Sequence, residues 1–146
     1  MLKYCKETKN RVYWQENIED FTGLYAPCFT ALFNVVGYCN LDKVMGCMKQ
    51  NKGEVFIFDC WDEKKVQETG FQSKEKVFKW GKVNIIPYLG GLIIHITKKN
   101  GETITEEHDV HPYSIKRIKY LCKKYGYTYK RKDTKTWQTW YRLVKN

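Results

Sequence analysis

The sequence predicts an α+β fold in a single compact domain, in which N-terminal helices pack on a mainly antiparallel sheet. Three observations lead to this prediction. The 146 residues suffice for one globular unit and are few for two. Hydrophobic residues make up 42% of the chain, which excludes wholesale disorder. From Leu92 to the end, the segments follow the order strand, strand, helix, strand, strand, which is an α+β pattern.

The N-terminal part begins with a short predicted strand at residues 12–14, followed by a polar loop. Residues 28–38 are apolar on nearly every side, which predicts a buried helix that ends near Gly37. A second helix is predicted over residues 41–49, with Asp42 in its first turn.

The middle of the chain begins with a nearly continuous apolar run over residues 54–60, which is typical of an interior strand. Residues 61–80 are polar, with weak helical periodicity over 73–80, and residues 83–88 predict another strand. A hairpin follows over residues 92–107, because Asn100-Gly101 is the pair preferred in a type I′ turn. That turn would place His95 opposite Glu106.

The C-terminal part contains the clearest helix, over residues 113–125, with Ser114 as N-cap and Gly126 as C-cap. Its apolar and basic side chains fall on opposite faces. Two alternating strands are predicted after it, over residues 127–132 and 136–144. The segment from Leu92 to the end therefore forms a ββαββ unit.

The net charge of +10 is concentrated at the C-terminal end. Residues 1–110 carry 15 basic and 15 acidic side chains, whereas residues 111–146 carry eleven basic side chains and the acidic Asp133. The chain therefore divides into an electroneutral core, 1–110, and a basic, aromatic subregion, 111–146, of the same domain.

A basic surface with interleaved aromatic rings is typical of proteins that bind DNA or RNA, because cations follow the phosphates while bases stack on the rings. The sequence thus favours a small nucleic-acid-binding protein of viral, phage or mobile-element origin, which binds rather than catalyses. A virion, assembly or inhibitor protein with an acidic protein partner is the alternative. The predicted contact residues are Lys116, Arg117, Lys119, Lys123, Lys124, Lys130, Arg131, Lys132, Lys135, Tyr127, Tyr129, Trp137 and Trp140.

A second alternative centres on Cys28, which begins the predicted apolar helix thirteen residues after Gln15. A helix N-terminus lowers the pKa of a thiol and so favours the nucleophilic thiolate. With Gly90-Gly91 before a strand and Asp109 after the hairpin, this order resembles the papain-like cysteine peptidases. The resemblance implies a thiol hydrolase with Cys28 as nucleophile, Gln15 as oxyanion donor, His95 as base and Asp109 as its orienting group.

The remaining observations concern compartment and cofactors. The N-terminus lacks the apolar stretch of a signal peptide, and no apolar run approaches the roughly 20 residues that span a bilayer. We therefore expect a cytoplasmic or virion protein with no membrane partner. The six cysteines form no Cys-x-x-Cys pair, so free thiols are expected and a zinc site is not. Asp59, Asp62 and Glu63 follow an interior strand, but the spacing of a nuclease Mg²⁺ site is missing, and no cofactor is predicted.

Overall fold

The computed structural model describes residues 17–21, 23, 25–69, 72–88 and 90–146. These residues form two four-stranded sheets and three α-helices. The strands are β1 (Cys28–Ala31), β2 (Val55–Trp61), β3 (Lys74–Phe78), β4 (Gly81–Tyr88), β5 (Gly91–Lys98), β6 (Thr103–Asp109), β7 (Tyr127–Asp133) and β8 (Gln138–Lys145). The helices are α1 (Leu41–Gln50), α2 (Glu63–Glu68) and α3 (Ile115–Tyr125), with a 3-10 turn at Val35–Tyr38. The α+β fold class is confirmed, and the predicted strand at residues 12–14 lies outside the described residues.

The central sheet has the strand order β1-β2-β8-β7. Strand β1 pairs with β2 in parallel, whereas β8 is antiparallel to both β2 and β7. Strands β1, β2 and β7 therefore point in the same direction, and their carboxyl ends lie at one edge of the sheet. Strand β8 lies between two strands that precede it in the sequence.

The hydrophobic core lies between α1, α3 and one face of the central sheet. Phe56, Phe58 and Cys60 of β2 alternate along the strand and pack in one cluster with Tyr141 and Leu143 of β8. The same cluster includes the buried α1 and α3 residues Leu41, Val44, Met45, Met48, Ile118, Leu121 and Cys122. On the opposite face of the sheet, Val55, Ile57, Trp140 and Val144 are half-buried.

The second sheet is an antiparallel meander with the order β3-β4-β5-β6. The predicted hairpin is present, but its register differs by one residue from the prediction. His95 pairs with Thr105, and Glu106 pairs with Ile94. The turn has three residues rather than two, since Lys98 pairs with Glu102 and only Gly101 has a positive φ, of 85°. A three-residue loop with glycine in the left-handed position replaces the expected type I′ turn.

Several predicted elements are confirmed. Helix α1 begins after Asn40, whose side chain accepts hydrogen bonds from the backbone N–H groups of Asp42 and Lys43. Helix α3 has Ser114 as N-cap, and Gly126 follows it with φ 77°. The strands predicted near β2, β4, β7 and β8 are also present.

One predicted helix is wrong, and a segment with weak helical periodicity is a strand. Residues 28–38 form β1 and a 3-10 turn, because an apolar run suits a strand with a parallel neighbour as well as a buried helix. Residues 73–80 contain β3, which pairs with β4 along its whole length. No helix in the described part of the chain is long and apolar enough to cross a membrane.

Candidate functional site at the carboxyl edge of the central sheet

Ligands of sheets with parallel strands bind beyond the carboxyl ends of those strands. In this chain, β1 ends at Ala31 and β2 ends at Trp61, and both ends lie at the same edge. The segment that leaves β1, Leu32–Tyr38, turns sharply there, and we call it the β1 turn. It is the first candidate for a functional site, because its backbone is strained.

The strain lies at two consecutive residues without the freedom of glycine. Phe33 has φ 62° and Asn34 has φ 58°, both in the left-handed region. Each such residue costs on the order of 1–3 kcal/mol and persists only where the surrounding structure enforces it. Strain of this kind concentrates at binding and catalytic sites.

Asn34 is the residue that fixes the β1 turn to β2. Its backbone N–H donates to the Asp59 carboxylate at 3.0 Å, and its side-chain Oδ1 accepts from the backbone N–H of Trp61 at 3.0 Å. The side chain lies so close to Gly37 that a Cβ on Gly37 would come within 2.7 Å of Nδ2. Asn34 is 5% exposed, so these contacts are shielded from water.

Asp59 is a fully buried carboxylate at the centre of this edge. Its Oδ2 accepts two hydrogen bonds of 3.0 Å, from Asn34 N–H and from Nε2 of Gln138 on β8. Its Oδ1 is buried without a hydrogen-bond partner among the described residues. Asp59 thus joins the β1 turn, β2 and β8 through one side chain.

The β1 turn presents apolar side chains to solvent. Phe33 is 87% exposed and Tyr38 is 51% exposed, and Val35 is also exposed. The imidazole of His108, on β6, meets the Tyr38 ring edge-on with centroids 6.0 Å apart. The Nε2 of His108 lies 3.3 Å from an oxygen of Glu106. The second sheet therefore places an imidazole beside the exposed ring of Tyr38, and a carboxylate next to that imidazole.

Backbone contacts connect the β1 turn with the segment that leaves the second sheet. The N–H of His111 donates to the carbonyl of Gly37 at 2.7 Å, and Val110 donates to the carbonyl of Gly90. Val110 is fully buried. The position of His108 relative to the β1 turn is thus set by main-chain hydrogen bonds.

A second polar cluster lies further along the same edge. Arg131 contacts Asp62 at 3.1 Å and Asp133 at 2.6 Å, and Lys65 contacts Asp133 at 3.0 Å. Hydrogen bonding from Arg131 and then from Lys65 lowers the pKa of Asp133 to about 2. Asp62 also caps α2 through the N–H groups of Lys64 and Lys65. Each charged group of this cluster has a partner, which indicates a structural role.

Of the four residues assigned to a thiol hydrolase, the three that the structure describes are not brought together. Cys28 is exposed at the start of a strand, not at a helix N-terminus. His95 lies within β5 of the other sheet, where its Nδ1 is 2.9 Å from the hydroxyl of Thr105. Asp109 ends β6, and Gln15 lies outside the described residues.

The basic side chains of the C-terminal subregion divide into exposed and paired groups. Lys124 and Arg117 both contact Asp42 of α1, at 2.8 and 3.6 Å. Arg131 is paired as described above. The other predicted contact residues of positive charge are exposed, namely Lys116, Lys119, Lys123, Lys130, Lys132 and Lys135.

The aromatic side chains predicted to stack on bases contribute mostly to the fold. Tyr127 is buried and donates to the carbonyl of Gly53 at 2.8 Å. Tyr129 packs against the core, and Trp140 is half-buried. Trp137 donates to the hydroxyl of Thr69 at 2.7 Å. They are therefore held by contacts within the protein.

Sequence reasoning missed Asn34, Phe33 and Tyr38, because no local pattern marks a strained turn after a strand. Asp59 carried a detectable signal, since it is the one charged residue in the apolar strand Val55–Trp61. A buried carboxylate there must be held by hydrogen bonds. Within the described residues, no group of three or more His, Cys, Asp or Glu side chains is arranged to hold a metal ion.

No protein-family model matches the sequence, and no curated protein matches it. Solved structures do match. An S-adenosylmethionine-dependent methyltransferase from Clostridium acetobutylicum is similar over 90% of this chain and 63% of its own, with a TM-score of 0.68 and 15% identity. An amino pentose methyltransferase from Micromonospora echinaspora is similar over 90% of this chain and 63% of its own, with a TM-score of 0.67 and 9% identity. A sugar N-methyltransferase from a Streptoalloteichus species is similar over 90% of this chain and 61% of its own, with a TM-score of 0.60 and 11% identity.

At these identities the likeness concerns the fold. This chain spans about 63% of the length of the first two of these methyltransferases. The comparison overturns the papain-like resemblance and the hydrolase derived from it, because the matched structures are methyltransferases. It likewise overturns nucleic-acid binding, the acidic protein partner, the viral or virion assignment and the preference for a non-enzyme. The basic, aromatic C-terminus misled the interpretation of the sequence, since most of the rings predicted to stack on bases are held by contacts within the protein, and three of the cations pair with acids of the neutral part.

Proposed function

We propose that this chain forms the acceptor-binding part of an S-adenosylmethionine-dependent methyltransferase that acts on a small molecule with an amino group. The likeness of 90% of the chain to solved methyltransferases supports the reaction class. Two of the similar proteins are named for amino pentose and sugar nitrogen methylation. An amino sugar is therefore the acceptor class that we propose.

The observation that carries the proposal is the contact between the exposed Tyr38 ring, on the turn at the carboxyl edge, and His108, which in turn contacts Glu106. Phe33 and Tyr38 offer flat apolar surface on a turn that is held rigid from beneath by Asn34. His108 lies beside Tyr38, and Glu106 contacts His108. Small-molecule sites combine apolar and aromatic walls with a few placed polar groups in this way.

The dyad suits an amine because an ammonium group must lose a proton before its nitrogen can act as a nucleophile. The Glu106 carboxylate attracts the ammonium form, and an imidazole accepts protons near neutral pH. When Nε2–H of His108 donates to Glu106, Nδ1 is left as the basic nitrogen. In this mechanism the ammonium proton passes to Nδ1, and the lone pair stays on the acceptor nitrogen.

The described residues do not form a site for S-adenosylmethionine by themselves. That molecule carries hydroxyls, an ammonium and a carboxylate, each of which requires a polar partner. The two buried carboxylates of this edge are Asp59 and Asp62, and both accept hydrogen bonds from the protein. Oδ1 of Asp59 has no partner among the described residues, but it is buried out of reach of a ligand at the surface. Among the described strands, β1 has a neighbour on one side only, so one wall of a crevice is present.

The proposal is tested by nuclear magnetic resonance titration of the chain with D-glucosamine, with D-glucose as the matched ligand without an amine. We expect glucosamine to shift the signals of Phe33, Tyr38 and His108 at concentrations where glucose does not. Phe33→Ala should weaken binding several-fold, whereas Val77→Ala, which removes an equally exposed apolar side chain on β3, should not. Equal responses to both sugars, or shifts confined to other surfaces, contradict the proposal.

A further inference from the structure

The second sheet carries exposed apolar side chains at the end opposite to its contact with the β1 turn. That contact is made by His108, near the end of β6. At the opposite end, the turn between β3 and β4 and the turn between β5 and β6 lie side by side, because the N–H of Lys99 donates to the carbonyl of Trp80 at 3.1 Å. We call residues 76–82 and 98–102, which form these two turns and their flanks, the sheet tip.

Three large apolar side chains of the sheet tip lie exposed to solvent. Val77 is 78% exposed, Trp80 is 50% exposed and Phe78 is 43% exposed. The rings of Phe78 and Trp80 stack on each other, with centroids 5.2 Å apart and an angle of 7° between their planes. None of the three side chains belongs to the hydrophobic core cluster. Exposed apolar side chains that cluster at one place mark interaction sites.

The apolar side chains of the sheet tip emerge on both faces of the sheet. Successive residues of a strand point to opposite faces, so Val77 and Phe78 lie on different faces. Val77 pairs with Lys82 of β4, and Phe78 pairs with Gly81. A partner that packs flat on one face of the sheet would contact only part of this apolar surface. The arrangement therefore fits a partner that the sheet tip enters end-on.

Positive charges surround the apolar side chains of the sheet tip. Lys76, Lys79 and Lys99 are exposed, and none of them forms an ion pair with a residue that the structure describes. The other lysines of the sheet tip, Lys82 and Lys98, are each paired with a glutamate. Three unpaired cations beside three exposed apolar side chains indicate a partner that is both anionic and apolar.

An anionic phospholipid bilayer combines these two properties. Tryptophan is enriched at membrane–water interfaces, because its ring is apolar and its N–H is polar. A lysine stem lies along apolar surface while its ammonium group reaches the negatively charged headgroups. A single-stranded nucleic acid fits less well, because its bases stack on open ring faces. Phe78 and Trp80 each cover one face of the other, and Val77 offers no ring.

We propose that the sheet tip is a peripheral membrane-binding site, which enters the interface of an anionic phospholipid bilayer end-on. Val77, Phe78 and Trp80 enter the boundary between headgroups and acyl chains, while the three unpaired lysines contact the lipid phosphates. Binding of this kind places side chains in the interface and requires no membrane-spanning segment. It does not depend on the reaction proposed for the carboxyl edge of the central sheet.

The test measures co-sedimentation of the full 146-residue chain with lipid vesicles. One set of vesicles contains phosphatidylcholine and phosphatidylserine in equal amounts, and the other contains phosphatidylcholine alone. Each lysine near an anionic surface strengthens binding roughly fivefold, so we expect binding to the neutral vesicles to be weaker by roughly tenfold or more. Binding to neither set, or equally to both, overturns the proposal.

A charge-matched pair of variants separates the sheet tip from the general positive charge of the protein. One variant replaces the three unpaired lysines of the sheet tip by glutamine. The other replaces three exposed lysines of α3 by glutamine, namely Lys116, Lys119 and Lys123. We expect the first variant to lose roughly a hundredfold in binding to anionic vesicles, and the second to lose clearly less. Equal losses would show general electrostatic attraction and overturn the proposal.

A second pair of variants tests the apolar contribution. Trp80→Ala should weaken binding to anionic vesicles roughly tenfold, because the ring leaves water in the bound state. Tyr120→Ala removes a ring of similar exposure from α3 and should leave binding unchanged. Circular dichroism checks that both variants fold. Binding that is unchanged in folded Trp80→Ala overturns the proposal.

Fluorescence then locates the sheet tip in the bilayer. Lipids with brominated acyl chains quench a tryptophan that enters the membrane. We expect quenching of the bound protein to be lost in Trp80→Phe, which keeps a ring beside Phe78, and to persist in Trp137→Phe. Quenching that persists equally in both variants contradicts insertion of the sheet tip and overturns the proposal.

Two measurements without lipid test other occupants of the sheet tip. Light scattering that gives the mass of two chains, and of one chain in Trp80→Ala, assigns the sheet tip to a second copy. Binding of a single-stranded oligothymidine that is lost in Trp80→Ala, while vesicle binding remains, assigns it to nucleic acid. Either result overturns the proposal.

Discussion

The backbone N–H of Asn34 donates a hydrogen bond of 3.0 Å to the Asp59 carboxylate, and this contact holds two consecutive left-handed residues in place. The bond joins the turn after β1 to the strand beside it. The rigidity of the β1 turn, and with it the display of Phe33, therefore depends on a side chain from a different strand.

The first prediction concerns Asp59. Asp59→Ala removes the acceptor for both Asn34 N–H and Gln138 Nε2, and two buried donors lose their partner. We expect a loss of about 1–3 kcal/mol for each unsatisfied donor in the free energy of unfolding. Asp59→Asn keeps one carbonyl acceptor in the same shape, so its loss should be clearly smaller. Urea unfolding measures both, and equal losses would show that Asp59 acts only by filling space.

The second prediction concerns Gly37. A Cβ at this position would lie 2.7 Å from Nδ2 and 2.8 Å from Oδ1 of Asn34, so Gly37→Ala displaces that side chain from Trp61. We expect a destabilisation of about 1–3 kcal/mol. Gly46→Ala, within helix α1, is the matched control, because its Cβ would meet only the Tyr125 side chain, at 3.4 Å from the hydroxyl and 3.9 Å from the ring. Alanine there should stabilise by roughly 0.5–1 kcal/mol. The melting temperature should therefore fall for Gly37→Ala and rise for Gly46→Ala.

The third prediction concerns the stability of the protein at low pH. Hydrogen bonds from Arg131 and Lys65 lower the pKa of Asp133 to about 2, below its unfolded value of about 4. A lowered carboxyl pKa contributes stability above the unfolded value, and this contribution is lost as the pH falls from about 4 to 2. Asp133→Asn should make the melting temperature less dependent on pH between about 4 and 2. Near neutral pH, the dependence of the melting temperature on pH should be the same in both proteins. Parallel curves for the two proteins below pH 4 would refute the assignment.

The fourth prediction concerns thiol reactivity. Cys28 is exposed, whereas burial raises the pKa of Cys60 to about 12 and that of Cys122 to about 11. The thiolate is the reactive form, so iodoacetamide at pH 8 should label Cys28 first and leave Cys60 and Cys122 unlabelled in the folded protein. Peptide mass spectrometry follows each site, and labelling in denaturant provides the control. Labelling of Cys60 at the rate of Cys28 would contradict the burial described for β2.

The elements with local signals were predictable from the sequence. Helices α1 and α3 have caps at Asn40, Ser114 and Gly126, and their apolar periodicity is strong. Strand β2 is an uninterrupted apolar run apart from Asp59. These signals lie within a few residues of the element that they define, so the sequence alone contains them.

The β1 turn was not predictable, because its cause is remote in sequence. The apolar run from Cys28 to Tyr38 is compatible with a helix and with a parallel strand. The left-handed backbone at Asn34 is imposed by Asp59, 25 residues later. The register of the β5–β6 hairpin likewise depended on one extra residue in its turn, which the Asn-Gly pair did not reveal.

The candidate site was missed for a related reason. The net charge of a sequence segment counts only the residues of that segment, whereas the ion pairs of the folded protein join different segments. A segment with a high net charge can therefore have several of its cations paired. Asp42 forms ion pairs with Lys124 and Arg117 across the α1–α3 contact, and Asp62 forms one with Arg131. The pairing of His108 with Tyr38 also joins two elements, a strand of one sheet and a turn of the other.

The order β1-β2-β8-β7 has a consequence for how the protein is made. Strand β8 is synthesised after both β2 and β7, yet it fills the position between them. Until Lys145 has left the ribosome, β2 lacks its antiparallel neighbour, and β7 has no place in the central sheet. The central sheet is therefore completed only once β8, the last strand of the chain to be made, is available, and a truncation before Gln138 would deprive β2 and β7 of the same partner at once.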